Sequence, residues 1–233
     1  MDDTARAELT RPTETRAYSP AEEASDMVVH VAALVLALAA VPVLITLTAV
    51  WRGDAAGIAG VSVYGVTLIL MLLCSLLYNH VGRPRWTGLF RRLDHSAIHF
   101  KIAGTYTPFA LLSGAGGTLL TVIWTAAAGA TALSFVLRER SALVGIGICL
   151  GMGWAVVIGG RDLLAVLPLS VIVLMLVGGV LYSAGTLFLM APRLPYHNTI
   201  WHGFVVAASI VFYVAIFLCA ALAPDGVAEA VIG

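Results

Sequence analysis

The apolar residues of this chain gather into seven runs, each near or above the roughly 20 residues that a helix needs to cross a hydrocarbon core. They fall at about 28–51, 56–80, 96–114, 116–136, 142–160, 163–191 and 199–223. A soluble core for 233 residues has no use for a chain that is 60% hydrophobic and 11% charged, with mean hydropathy +0.97. The connections are short, so neighbouring helices should be antiparallel. The expected fold is all-α: a seven-transmembrane helix bundle over residues 27–223, preceded by a polar cytoplasmic segment, 1–26, and followed by a short external tail, 224–233. The segment before Asp26 has no apolar stretch or small-residue cleavage pattern, so the first run is expected to act as an uncleaved signal anchor. With 13 basic and 13 acidic residues there is no nucleic-acid footprint. Membrane lipids are the expected partners, and the cell (plasma or inner) membrane is the expected location.

Basic residues set the orientation. Arg6, Arg11, Arg16, Arg83, Arg85, Arg91, Arg92, Arg138, Arg140 and Arg193 fall on one side of the seven runs, against Arg52 and Arg161 on the other. The N-terminus is therefore expected in the cytoplasm and the C-terminus outside. Lys101 lies inside the third run; snorkelling to the cytoplasmic surface is its default, and an inward turn toward Asp94 is the alternative. Cys74, Cys149 and Cys219 sit in apolar runs without metal-type spacing and read as small packing residues. Gly147-x3-Gly151 suits close helix packing.

This topology puts all six histidines, His30, His80, His95, His99, His197 and His202, at the cytoplasmic level, together with Asp94. For one histidine, a partly solvated interfacial role is the simpler reading. Several ionisable groups at one depth point instead to a site. Imidazole and carboxylate suit zinc, and a catalytic zinc keeps a position for water. Spacing adds a constraint. Residues four apart on an α-helix lie roughly 40° apart around it, and residues five apart roughly 140°. His95 and His99 can converge. His197 and His202 converge only if the helix starts late or carries a bulge, which the segment Pro192–Pro195 could allow.

Four stretches carry a resemblance: Glu22-Glu23-Ala-Ser-Asp26-Met-Val-Val-His30; Ser75-Leu-Leu-Tyr78-Asn79-His80; Leu93-Asp94-His95-Ser96-Ala-Ile, continuing through Ile102-Ala-Gly104-Thr-Tyr106-Thr-Pro108; and His197-Asn198-Thr-Ile-Trp201-His202. The chain resembles the hemolysin III group, within the larger family of the progestin and adiponectin receptors. The resemblance implies a zinc site near the cytoplasmic face, with histidines from S-x3-H on the second helix and H-x3-H on the seventh, and an aspartate on the third joining through water. Ser75, Asp94 and His202 match. The other two places fall on Asn79 and Asn198, each one residue from a histidine, and Asp26 stands where the group has asparagine.

The expected site is therefore zinc held by His202, His80 and His197, with Asp94 joining it. Asp94 and Ser75 would then be the catalytic residues of an expected lipid amide or ester hydrolase. Irregular helix ends would let His80 and His197 reach the metal; otherwise the site is a hydrogen-bonded polar cluster, and His99 offers a further route to a ligand. The alternative function is a non-enzymatic pore-forming, receptor or membrane-homeostasis protein with a degenerate metal site.

Overall fold

A computed structural model describes residues 18–81, 85–136 and 142–222. The expected external tail and most of the cytoplasmic segment, with Arg6, Arg11, Arg16, Arg83, Arg138 and Arg140, lie outside the described residues. Within them the chain is all-helical: α1 (Pro20–Arg52), α2 (Ala55–His80), α3 (Thr87–Ser113), α4 (Gly117–Val136), α5 (Ala142–Gly159), α6 (Arg161–Val166), α7 (Leu169–Leu189) and α8 (His197–Ala221). Five of them, α1, α2, α4, α7 and α8, are long and apolar enough to cross a membrane. Bulky apolar side chains such as Val35, Val50, Val66, Ile158 and Leu169 project outward along the helices. An apolar surface that extensive belongs against lipid. The protein is a multi-pass integral membrane protein.

Local chemistry explains where the helices start and stop. α1 begins at Pro20, not near residue 28, because Ser19 and Glu22 form a capping box: Ser19 Oγ accepts from the Glu22 N–H, and Glu22 Oε2 accepts from the Ser19 N–H. Pro20 occupies the first turn, where its missing N–H costs nothing. Gly53 closes α1 in the left-handed region (φ 63°), and Asp54 caps α2 by accepting from the Gly57 N–H at 2.6 Å. That bond, with Arg52 alongside, holds the Asp54 carboxyl below the usual carboxylate range. α3 also starts earlier than hydropathy indicates, since its first turns are polar but still helical. The sixth apolar run is broken in two. Pro168 forces Leu167 into extended backbone (φ −79°, ψ 142°), ending α6 before α7 begins.

α3 is the central element, packing against α2, α4, α5, α6 and α8. α1 lies between α2 and α8, and α7 lies on α8. Tyr64, Phe109, Leu44, Ile123, Leu163 and Ile216 are the large side chains at the centre of this packing. Lipid is as apolar as leucine, so close approach at small residues matters more than burial. The tight places are not those expected. A Cβ at Gly147 or Gly151 would meet nothing within 4 Å, whereas one at Gly104 would run into Thr67 Oγ1 and one at Gly65 into Val41 Cγ1. These two contacts bring α2 against α3 and α1.

Lys101 does not snorkel. Its side chain is buried, and its ammonium donates to the Tyr182 hydroxyl on α7 rather than pairing with Asp94. Cys74 and Cys219 are buried in the core and Cys149 is half-buried, as their apolar surroundings indicate.

The α2–α3 contact gives a test. Gly104→Ala should destabilise the purified protein by about 1–3 kcal/mol through overpacking on Thr67. Gly129→Ala, where a Cβ meets nothing within 4 Å, should not. Thermal unfolding of both variants in the same detergent checks the contrast; equal melting temperatures would refute the packing argument.

Candidate metal centre

α1 places Glu22, Asp26 and His30 four residues apart, so the three side chains lie along one face of the helix. All three are buried. Glu22 does structural work: its Oε1 accepts from the Tyr196 backbone N–H at 2.8 Å. Tyr196, the residue before α8, has φ 58°, an unfavourable backbone for a bulky side chain. The Glu22 bond holds that turn, and the turn sets α8 against α1.

Asp26 is the hub. Its Oδ1 accepts from His202 Nδ1 at 2.6 Å. Its Oδ2 lies 3.3 Å from His80 Nε2 and 3.6 Å from His30 Nδ1, and accepts from Asn198 Nδ2 at 3.2 Å. One carboxylate thus joins α1, α2 and α8. His30 Nδ1 donates to the Asp26 carbonyl at 2.9 Å, which leaves Nε2 to accept from Ser75 Oγ at 3.1 Å. His80, the last residue of α2, brings its Nε2 to 3.4 Å from His30 Nδ1. The rings of His30 and His202 meet edge to face at 4.1 Å.

These separations can be compared with a metal centre. Tetrahedral zinc with bonds of ~2.0–2.1 Å places neighbouring donor atoms ~3.3–3.4 Å apart. Asp26 Oδ2, His30 Nδ1 and His80 Nε2 are separated by 3.3, 3.4 and 3.6 Å. One carboxylate and two imidazoles at these separations form a possible metal site, which His30 would join by releasing the Nδ1 proton it gives to the Asp26 carbonyl. Among the described residues, Asp26, His30 and His80 are the group whose ligand atoms all lie within 4.8 Å of one another.

The expected site residues separate into two sets. His80, His202, Ser75 and Asp94 gather here. Asp94 is buried in the second turn of α3 and shares a cavity lining with His30, Ser75 and His202. His197 turns away: its Nε2 pairs with Tyr18 OH at 3.0 Å, and the two rings stack. α8 starts as a regular helix at His197, so the five-residue spacing sends His197 and His202 to different neighbours. His95 is exposed and bonds to the Arg91 carbonyl at 2.6 Å. His99 is buried but outside the metal-capable group. Asn79 and Asn198, at the two places where the resemblance implies histidine, meet at 3.4 Å. Sequence reading undervalued Asp26 and His30. Their signal was present in the four-residue repeat Glu22, Asp26, His30 at the start of α1.

Beside the cluster a cavity of about 270 Å³ runs along α3 from Asp94 past Ile98, Lys101 and Thr105 to Phe109. Met175, Gly179 and Tyr182 of α7 and Gly153 and Trp154 of α5 close its other side.

Comparison with known proteins agrees with this architecture. Residues 18–213 match the family described as Haemolysin-III related. The chain is 35% identical over 202 residues to the "Hemolysin-3 homolog" of Bacillus subtilis, covering 85% of this chain and 94% of the relative. It is also 35% identical over 200 residues to "Hemolysin-3" of Bacillus cereus, covering 84% and 91%. More distantly, it is 28% identical over 167 residues to the human "Monocyte to macrophage differentiation factor", covering 66% and 68%. The matched span holds every residue of the Asp26 cluster, and the chain belongs to the Haemolysin-III related family.

Proposed function

We propose that this protein is a metal-dependent hydrolase of a lipid amide or ester, working at the cytoplasmic end of a seven-crossing bundle with its N-terminus in the cytoplasm. One observation carries the reading: a donor set with zinc-like spacing adjoins an apolar cavity. Asp26, His30 and His80 would hold the metal, and His202 would fix the second carboxylate oxygen of Asp26. Bound zinc would supply a water acidic enough to attack at neutral pH.

The chain's own groups do the remaining work. Asp94 orients that water and takes its proton on the carboxylate. Ser75 donates its one hydroxyl hydrogen to His30 Nε2 and so holds the ring that would bind the metal through Nδ1. The cavity walls hold the acyl chain and keep bulk water from the reacting carbonyl. The arginine bias supports the orientation, and it would place the cluster within reach of inner-leaflet headgroups.

Metal analysis tests this reading. Protein purified without chelators should carry about one equivalent of zinc, and His30→Ala or His80→Ala should lower it to about a tenth or less, because each removes a donor whose affinity contribution is large. His197→Ala should leave the metal in place. Wild-type protein without zinc, or a loss confined to His197→Ala, would overturn the assignment.

The name of the Bacillus relatives suggests a second reading, lysis of membranes by a pore. A water path wants polar groups through the whole bilayer. Here the polar cluster lies at one end, and the cavity beyond it is walled mainly by apolar side chains. Liposomes containing the protein should therefore retain a small trapped dye. Leakage that persists in an Asp94→Ala, His202→Ala double variant would favour the pore.

A further inference from the structure

The first two turns of α3 differ from the rest of that helix. Trp86, Leu89 and Leu93 are exposed, and their spacing puts them within about 60° of one another, on one face. Arg92 flanks that face, ~60° from Leu89 and ~100° from Leu93. Its guanidinium lies over the Phe135 ring near the end of α4, with Cζ 5.9 Å from the centroid. Arg85, just before the helix, places its Cζ 5.8 Å from the Trp86 ring. Phe135 and its neighbour Val136 are themselves exposed. The start of α3 and the end of α4 thus share an apolar outer surface edged by guanidinium groups.

These cations have no counter-charge in the protein. Among the described residues no carboxylate pairs with Arg85, Arg91 or Arg92. α3 has no acidic residue in its first turn and no side-chain cap, so its dipole adds to the positive field. Asp94 is ~160° around the helix from Arg92 and lines the internal cavity instead. Contact with a ring face leaves the edge of a guanidinium, with its N–H groups, available to an acceptor. The start of α1 has the opposite character: Glu22, Glu23 and Asp26 line a polar pocket there, and among the described residues no lysine or arginine does. Attraction for an anion is therefore confined to the α3–α4 side.

The surroundings identify the partner. Exposed apolar side chains on these helices meet lipid tails, and Trp86 marks the headgroup level. A partner at this rim must carry negative charge at headgroup depth and hydrocarbon below it. Free phosphate meets only the first condition, and a zwitterionic lipid only the second. An anionic phospholipid meets both.

We propose that Arg85 and Arg92 form a rim site for an anionic phospholipid, whose phosphodiester accepts from their guanidinium N–H groups and whose acyl chains lie along Leu89, Leu93 and Phe135. Charge-assisted bonds from planar guanidinium groups suit a phosphate. The site is on the outer surface of the α3–α4 pair, apart from the internal cavity and the Asp26 cluster, and needs neither metal nor hydrolysis. Arg91 lies ~160° around the helix from Leu89 and Leu93 and takes no part.

Delipidated protein in neutral detergent is titrated with phosphatidylglycerol and phosphatidylcholine of identical chains, and bound lipid is counted by native mass spectrometry. Phosphatidylglycerol should bind about tenfold more tightly or better, the preference expected of two arginines beside one headgroup charge. The preference should fall to about twofold or less in an Arg85→Gln, Arg92→Gln double variant and persist in Arg91→Gln. Glycerol phosphate, which has the charge without the chains, should not displace the lipid. A readout on the wild type needs no variant: bound phosphatidylglycerol should protect Arg85 and Arg92, but not Arg91, from modification by phenylglyoxal. Equal binding of the two lipids would overturn the proposal, as would a preference kept in the double variant or lost equally in Arg91→Gln. Displacement by glycerol phosphate, or absence of protection at Arg85 and Arg92, would do the same.

Discussion

A carboxylate inside a helical bundle must be met by donors, and in this protein Asp26 draws those donors from three helices. Removing one partner of a buried charged pair typically costs about 3–5 kcal/mol, far more than a surface ion pair is worth. His202 from α8 and His80 from α2 both turn to Asp26, and Asn198 adds a further N–H. Each of these contacts fixes the end of a helix rather than its middle. The start of α8 and the close of α2 are thus set by one side chain on α1. Glu22, one turn earlier, does the same for the backbone by holding Tyr196 in the left-handed region.

Below that polar level the constraint changes from charge to shape. Gly104 and Gly65 admit Thr67 and Val41, drawing α1, α2 and α3 together. On the other side of α3 the cavity is lined by positions that include Gly153 on α5 and Gly179 on α7. The bundle is consequently tight on one flank of α3 and open on the other. The open flank begins at Asp94 on α3 and Ser75 on α2, where the polar cluster meets the cavity.

Hydropathy made the helical bundle legible, because backbone groups in lipid must be satisfied within each segment. It could not see the break at Pro168, where local sterics interrupt an otherwise uniform apolar run. Nor did it find the true start of α1, which the Ser19–Glu22 capping box determines. For the site, depth was readable from sequence and direction was only partly so. The five-residue spacing left His197 and His202 able to converge only through an irregular helix start, and a regular α8 keeps them apart. Lys101 was different. Its direction depends on Tyr182, 81 residues away on α7, a partner that no local pattern reveals.

The two asparagines explain how a one-residue shift can be absorbed. A neutral amide can both donate and accept, so Asn198 Nδ2 can reach Asn79 Oδ1 while Asn79 Nδ2 donates to the Ser75 carbonyl. α2 and α8 are thereby joined without a cation at the places where imidazoles would need one. The negative charge sits instead on α1, at Asp26, and three imidazoles meet it: His202 from α8, His30 on the same helix, and His80, rotated ~100° from Asn79 around α2. Under the proposed reading, charge rather than register selects the ligands. A histidine one residue out of place joins the centre when its rotation carries it toward the carboxylate, as for His80. It leaves the centre when rotation carries it away, as for His197. Under the proposed reading the metal keeps its depth in the bundle and moves laterally toward α1, remaining beside Ser75 and Asp94, where the cavity begins.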